Sequence, residues 1–199
     1  MSYAIIGFGK IGHALAKAFA RKGIEVSVAT TRDPKSFAAD AAAIGPTILA
    51  KTLAEAVKAD TIFLAVRFRS LPDVARALPI WQGKTVIDVS NAYGVPPEDL
   101  GGKPSSGFAA QSFTGARLVK GFNHLAAAVL DQDPAVHGGR RVVFLASDDD
   151  AAADQIGALA EKLGFAPIKL GGLSAGGLLV QARGNSWGRL IFKDLVKFD

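Results

Sequence analysis

Cysteine is absent from this chain of 199 residues, which excludes disulfides, thiolate nucleophiles and thiolate metal sites. Histidine is scarce, with three copies, and no two stand at the helical spacing that a metal pair needs, so no metal is expected. Aromatic residues make up 8% and do not gather around the lysines and arginines. With no basic tail and no recognition-helix motif, nucleic acid is not an expected partner. No apolar run is long enough to cross a bilayer, and Met1-Ser2-Tyr3 passes into a strand without the charged start and cleavage site of a signal peptide. The expectation is a cytoplasmic protein with no membrane partner. Charge of one sign does not dominate: the net charge of +5 is spread along the chain, with Arg140-Arg141 and Arg67/Arg69 as local clusters, a balance that suits anionic small ligands. What remains is 49% hydrophobic and 21% charged, enough to bury one substantial core.

The chain opens on Tyr3-Ala4-Ile5-Ile6, an apolar strand, and then on Gly7-Phe8-Gly9-Lys10-Ile11-Gly12 and a helical run from His13 to Lys22. This order has a mechanism in dinucleotide binding. Gly7 permits the tight turn out of the strand, Gly9 lets backbone N–H groups approach a pyrophosphate, and Gly12 lets the helix lie against the sheet, with the phosphates at the positive helix end. The whole loop, Gly7, Phe8, Gly9, Lys10, Ile11 and Gly12, is the expected pyrophosphate site.

The second strand, Glu25 to Ala29, ends in Thr30-Thr31-Arg32-Asp33-Pro34-Lys35. No carboxylate sits at its tip to accept a ribose 2′-hydroxyl; the hydroxyls of Thr30 and Thr31, the Arg32 guanidinium and the Lys35 ammonium suit a 2′-phosphate, and so NADP(H) over NAD(H). Asp33 and Pro34 read as cap and first residue of the next helix.

Alternation of β-branched runs with alanine-rich segments predicts an α/β fold: a Rossmann-type, doubly wound, mostly parallel sheet with a small C-terminal helical extension. Thr61 to Val66 reads as a central strand, Ser70 and Asp73 as a capping box for a helix to Leu78, and Lys84 to Val89 as the next strand. Residues 92 to 107 read as a loop, Phe108 to Thr114 as a short helix, and Arg117 to Gly121 and Arg141 to Ala146 as strands. Asp148-Asp149-Asp150 reads as a helix start rather than a metal site, and Ala166 to Leu170 as a last strand. Gly171 to Gly177 reads as a wall to a substrate pocket in preference to a second phosphate cradle. Trp187, Leu190, Ile191, Leu195 and Phe198 follow helical spacing, a stripe for packing on the sheet or on a second copy of the chain in a homodimer. Residues 1–170 are the expected NADP-binding domain and residues 171–199 an extension that completes an acceptor pocket or a dimer contact.

Ligands of open α/β sheets lie at the carboxyl ends of the strands, which here are Ala65-Val66-Arg67, Ser90-Asn91-Ala92 and Phe122-Asn123-His124. Ala65, Val66 and Arg67 are expected against the cofactor's ribose or nicotinamide, and Arg67 and Arg69 are candidates for an anionic tail on a second substrate. Ser90, Asn91 and Asn123 complete the expected cofactor site, the two asparagines either donating to the nicotinamide carboxamide or bonding loop backbone. His124, alone of the histidines at a strand tip, is the acid–base candidate, its alternative being a structural role. Hydride transfer asks little else of a protein than placement and exclusion of water.

Gly7-Phe8-Gly9-Lys10-Ile11-Gly12 with Thr31-Arg32, Phe63-Leu64-Ala65-Val66, Asp88-Val89-Ser90-Asn91 and Val119-Lys120-Gly121-Phe122-Asn123 together resemble the NADP oxidoreductase, coenzyme F420-dependent family. The resemblance implies a Rossmann domain with a small C-terminal part, and hydride transfer between NADP(H) and a deazaflavin as the small-molecule electron acceptor; the related cytosolic domain of membrane metalloreductases uses a flavin. It places Thr31 and Arg32 at the 2′-phosphate and Val66, Asn91 and Asn123 near the nicotinamide. Arg67 stands where many relatives have proline, and His124 where they often have threonine, both where the acceptor should approach. A reductase of a small carbonyl or imine, and a non-catalytic NADP(H)-binding redox sensor, are the alternatives.

Overall fold

The structure is a computed structural model that describes residues 1–101, 103–181 and 195–198. Six strands, β1 (Tyr3–Ile6), β2 (Val26–Ala29), β3 (Ile48–Ala50), β4 (Thr61–Leu64), β5 (Thr85–Asp88) and β6 (Arg117–Gly121), lie in the order β3-β2-β1-β4-β5-β6, every pair parallel. This is the doubly wound order, and the direction of winding reverses between β1 and β4. Parallel strands covered by helices on both sides bury both faces, and the residues alternate accordingly. Ile5, Phe63, Ile87 and Val119 enter one core cluster, while Ala4, Ile6, Ile62, Leu64, Val86 and Leu118 enter the other.

Helix α1 (Lys10–Arg21) and helix α7 (Asp150–Lys162) bring Leu15, Phe19, Ile156 and Leu159 to the first cluster. The second is covered by α4 (Leu71–Ala75) and α5 (Ser105–Ser112), with Trp81 and Phe113 in edge contact at 4.9 Å. Each large apolar side chain buried in this way contributes about 1.5–3 kcal/mol. The remaining helices are α2 (Ala38–Ile44), α3 (Leu53–Ala56), α6 (Ala127–Leu130) and α8 (Gly176–Leu179). Beyond β6 the sheet turns antiparallel: β8 (Gly139–Ala146) runs against β6, β7 (Ala135–Val136) and β10 (Val196–Lys197) run against β8, and β9 (Ala166–Lys169) runs parallel to it.

Several local expectations are corrected. Ser70 does not cap α4, because its backbone is already helical at φ −93, ψ −3, continuing a 3-10 turn over Phe68–Ser70, and Asp73 is engaged by Arg76. A capping box occurs instead at Thr52 and Glu55, where Thr52 has the extended backbone a cap requires. The helix expected from Phe108 begins at Ser105. The helical spacing toward the C-terminus does not reach the end of the chain, since Val196–Lys197 is a strand held by β8; Trp187, Leu190 and Ile191 lie outside the described residues. Among the described residues no helix is long and apolar enough to cross a membrane.

The start of β1 is clamped to the start of β4 by Asp60, whose carboxylate accepts from the Ser2 backbone N–H at 2.7 Å and from the Ser2 hydroxyl at 3.0 Å. These bonds, the backbone one first, hold its carboxyl below the usual carboxylate range. A depressed folded pKa stabilises above the unfolded value and is lost as pH falls through the folded one. Thermal melts taken from about pH 5 down to about pH 3 should therefore show a smaller fall in Tm for Asp60→Asn than for the parent, and identical slopes would refute the clamp. The effect is small because the group is exposed.

Candidate functional site

The three glycines of the first loop meet different surroundings. Gly7 has φ +103, and a Cβ there would lie 2.3 Å from the Ala65 carbonyl oxygen at the tip of β4. A Cβ on Gly12 would lie 2.0 Å from the Gly7 carbonyl oxygen. Both are glycine because chain packs against chain. Gly9 is different: among the described residues, a Cβ there would meet nothing within 4 Å. Gly9 stands at the N-cap of α1 with φ −90, ψ −164 and no side-chain cap, and the first turn carries no acidic residue. The helix therefore starts with uncapped N–H groups and an uncompensated positive end.

Gly9, Lys10 and Ile11 form one side of a cleft of ≈1010 Å³. Its other walls come from Ala65, Val66, Arg67, Phe68 and Arg69 after β4, Val89, Ser90, Asn91 and Tyr93 after β5, and Asn123, His124, Leu125, Ala126 and Ala127 after β6. Most of the residues singled out in the sequence thus meet in one place. They come together because β1, β4, β5 and β6 are adjacent and parallel, so their carboxyl ends share one edge.

Gly7, Phe8, Gly12, Thr30, Thr31, Arg32 and Lys35 are not among the residues that line the cleft. Phe8 turns its ring inward, stacked on His13 at 3.9 Å and tilted on Phe37 at 5.8 Å, so that only its backbone belongs to the loop surface. Thr30, Thr31, Arg32 and Lys35 follow β2, the neighbour of β1, whose Ala29 carbonyl accepts from Gly7 N–H at 2.8 Å. Thr31, Arg32 and Lys35 are exposed. The Arg32 guanidinium carbon stands 5.5 Å from the centre of the Phe37 ring, a cation–π contact. The Asp33 carboxylate accepts from Lys35 N–H at 2.8 Å as cap of the 3-10 turn Pro34–Ser36. It is engaged by its own turn, as its position before Pro34 implies.

Beneath the cleft is an ion pair that sequence reasoning missed. Asp88 and Lys120 face one another in the β5–β6 register, wholly buried, with Lys120 Nζ 2.9 Å from Asp88 Oδ2. Lys120 also donates to the Ser90 carbonyl, while Asp88 Oδ1 accepts from the Ser90 N–H at 2.9 Å and hydroxyl at 2.6 Å. The pair fixes the backbone that presents Asn91. The signal was available: Asp88 follows Val86-Ile87 and Lys120 follows Leu118-Val119, a charge directly after an apolar pair in each strand.

Asn91 and Asn123 bridge the ends of β5 and β6. Asn91 Nδ2 donates to the Asn123 carbonyl at 2.7 Å, and Asn123 Nδ2 donates to Asn91 Oδ1 at 3.1 Å and to the Val180 carbonyl at 2.9 Å. His124 Nε2 lies 3.3 Å from the Val142 carbonyl and its ring packs on Phe144 at 4.8 Å, which seats the imidazole against β8. Arg69 donates to the Gly94 carbonyl at 3.0 Å. The glycine-rich segment from 171 packs on the sheet domain: Leu173 N–H donates to Asp148 Oδ1 at 2.8 Å, and Ser105 N–H donates to Gln181 Oε1 at 2.7 Å. Asp149 caps α7 through Ala152 N–H at 2.8 Å, so two of the three consecutive aspartates hold backbone. Among the described residues no cluster of His, Asp or Glu could hold a metal ion.

A parallel sheet wound in this order, with a glycine turn opening onto a cleft at its switch point, defines a Rossmann-type α/β protein. Residues 2–92 match the NADP oxidoreductase, coenzyme F420-dependent family. It is similar to the solved structure of the hypothetical protein SMa0349 from Sinorhizobium meliloti, with 39% identity, a TM-score of 0.90 and coverage of 99% of this chain and 96% of that one. A proposed F420-dependent NADP reductase from Arthrobacter sp. FB24 has 26% identity and a TM-score of 0.68, over 87% of this chain and 86% of its own. Metalloreductase STEAP2 of Mus musculus is 31% identical over 182 residues, 88% of this chain. The chain spans 34% of that relative's length.

Proposed function

We propose that the protein is an NADPH-dependent oxidoreductase that passes hydride to a flat deazaflavin or flavin acceptor. The observation that carries this reading is the contrast among the glycines. Gly7 and Gly12 are explained by contacts within the chain, whereas the open space over Gly9, at an uncapped helix start, is explained by an anion from outside it. When bound, NADPH would supply the hydride. The chain supplies placement: backbone N–H groups of Gly9 to Gly12 hold the pyrophosphate, and Arg32 with Thr30, Thr31 and Lys35 holds the 2′-phosphate. Ala65, Val66, Ser90, Asn91 and Asn123 line the nicotinamide end. Arg67 and His124 stand where the acceptor enters. Residues 1–170 bind the cofactor in this reading, and residues 171–199 finish the acceptor side or meet a second copy.

The Phe37 ring under Arg32 limits where its guanidinium can go, which favours a planar, charge-assisted grip on a phosphate. Arg32→Ala should weaken NADPH by about ten- to a hundredfold, the worth of one or two hydrogen bonds to a charged group, and leave NADH nearly unchanged. Equal losses for the two coenzymes in a binding titration would remove the 2′-phosphate assignment. The activity itself is tested by mixing the protein with NADPH and, in turn, coenzyme F420, FMN and FAD, following absorbance near ~340 nm. Turnover with one of them supports the reading. Tight NADPH binding without turnover on any acceptor contradicts it.

A further inference from the structure

The side-chain amide of Asn123 is held in one orientation. Asn91 spends its Nδ2 on the Asn123 backbone carbonyl, which leaves Asn91 Oδ1 toward Asn123, and Asn123 Nδ2 donates both to that oxygen and to the Val180 carbonyl. Turning the Asn123 amide over would set its oxygen against two other oxygens and lose both bonds. Its donor side is therefore committed. Its Oδ1 is buried, in a residue only 6% exposed, and accepts no hydrogen bond among the described residues. Such an acceptor is costly to leave alone. The backbone beside it is strained too: Phe122 has φ +61, which bulky residues avoid, and it is kept there by burial of its ring against Phe63 and Phe165. An orphaned acceptor next to a strained residue, on the wall of a cleft, marks a place organised for a donor from outside the chain.

We infer that Asn123 Oδ1 accepts a hydrogen bond from the carboxamide N–H of the cofactor's nicotinamide ring. Asn123 then selects a ring that carries a carboxamide over one that carries a ketone. This rests on the NADP(H) reading above; of the two readings taken from sequence, the asparagine N–H groups do bond loop backbone, and the proposed bond to the carboxamide runs in the direction opposite to the donation considered there. The carboxamide is the hydrogen-bond donor that the nicotinamide ring itself bears.

The test compares NADP+ with its 3-acetylpyridine analogue, in which a methyl group replaces the amide nitrogen while phosphates and riboses are unchanged. Calorimetric titration of the full chain should show the analogue binding about tenfold or more weakly. In Asn123→Ala that ratio should fall to near one. In Arg32→Ala both ligands should weaken together and the ratio should stay. Equal affinities in the parent chain, or an unchanged ratio in Asn123→Ala, would overturn the inference and leave the cofactor assignment intact. Failure of the parent to bind either ligand would overturn the cofactor assignment and this inference with it. If Asn123→Ala does not fold, the parent's ratio still decides.

Discussion

Gly9→Ala should fold as the parent does and bind NADPH at least about tenfold more weakly, whereas the main loss in Gly12→Ala should be in stability. The two glycines stand three residues apart in one loop, and the difference lies in what an added methyl would touch. At Gly9 the backbone is extended, which any residue can adopt, and the methyl would meet nothing within 4 Å. Its stability effect is that of an unconstrained Gly-to-Ala change, within about 1 kcal/mol. In the proposed pyrophosphate site the methyl would nevertheless occupy the space that a phosphate oxygen needs near the backbone N–H groups, so the expected loss falls on affinity. At Gly12 the methyl would lie 2.0 Å from the Gly7 carbonyl oxygen, a backbone atom with no rotamer to change. The helix must lift off the turn, and overpacking against backbone costs about 3 kcal/mol or more. In a chain of this length that is a fall in Tm of roughly 6–12 °C. Thermal melts and NADPH titrations of both variants check the pair. Normal NADPH affinity in Gly9→Ala would remove the main support for the phosphate site.

Lys120→Met should be the most destabilising of the conservative-sized changes near the site, by about 3–5 kcal/mol. The lysine is wholly buried and neutralises Asp88 while bonding the Ser90 carbonyl. Removing it leaves a carboxylate in the interior with Ser90 as its remaining partner. Burial of that unpaired charge away from water costs more than the loss of any single hydrogen bond. Pairing the change with Asp88→Leu removes the charge and should recover much of the stability, since a buried ion pair is often no better than apolar residues of similar size. The recovered protein should still bind NADPH poorly at the nicotinamide end, because the bonds that set Ser90 and so present Asn91 are gone. Melting temperatures for the single and double variants, with NADPH affinity for the double, separate the two roles. A double variant with full affinity would reduce the pair to scaffolding.

The elements most legible in the sequence were those governed by local rules. The loop from Gly7 to Gly12 announces itself because a tight turn and a close helix both demand glycine within a few residues of one another, and the caps at Asp33 and Asp149 are read from a carboxylate preceding a helical run. The Ser70 error has the same origin: the residue types matched a cap, but whether the backbone was still extended there depended on the preceding 3-10 turn over Phe68–Ser70, seated by the buried ring of Phe68. The buried pair of Asp88 and Lys120 was visible only as two odd charges in separate strands, since nothing local says that residues far apart along the chain share a register.

By itself, then, the amino-acid order determined that strands and helices alternate, that glycine stands where backbone must turn or approach, and that the second strand ends in cationic and hydroxyl groups. These follow from backbone sterics and hydrophobic period, which act over a few residues. Tertiary structure decided which loops share a cleft, that among the described residues Gly9 faces open space while Gly7 and Gly12 face carbonyls, and that Asn123 gives away both of its N–H bonds while its oxygen accepts none among those residues. Those outcomes depend on distances between segments far apart along the chain. They are set by strand order and packing, which no local pattern encodes.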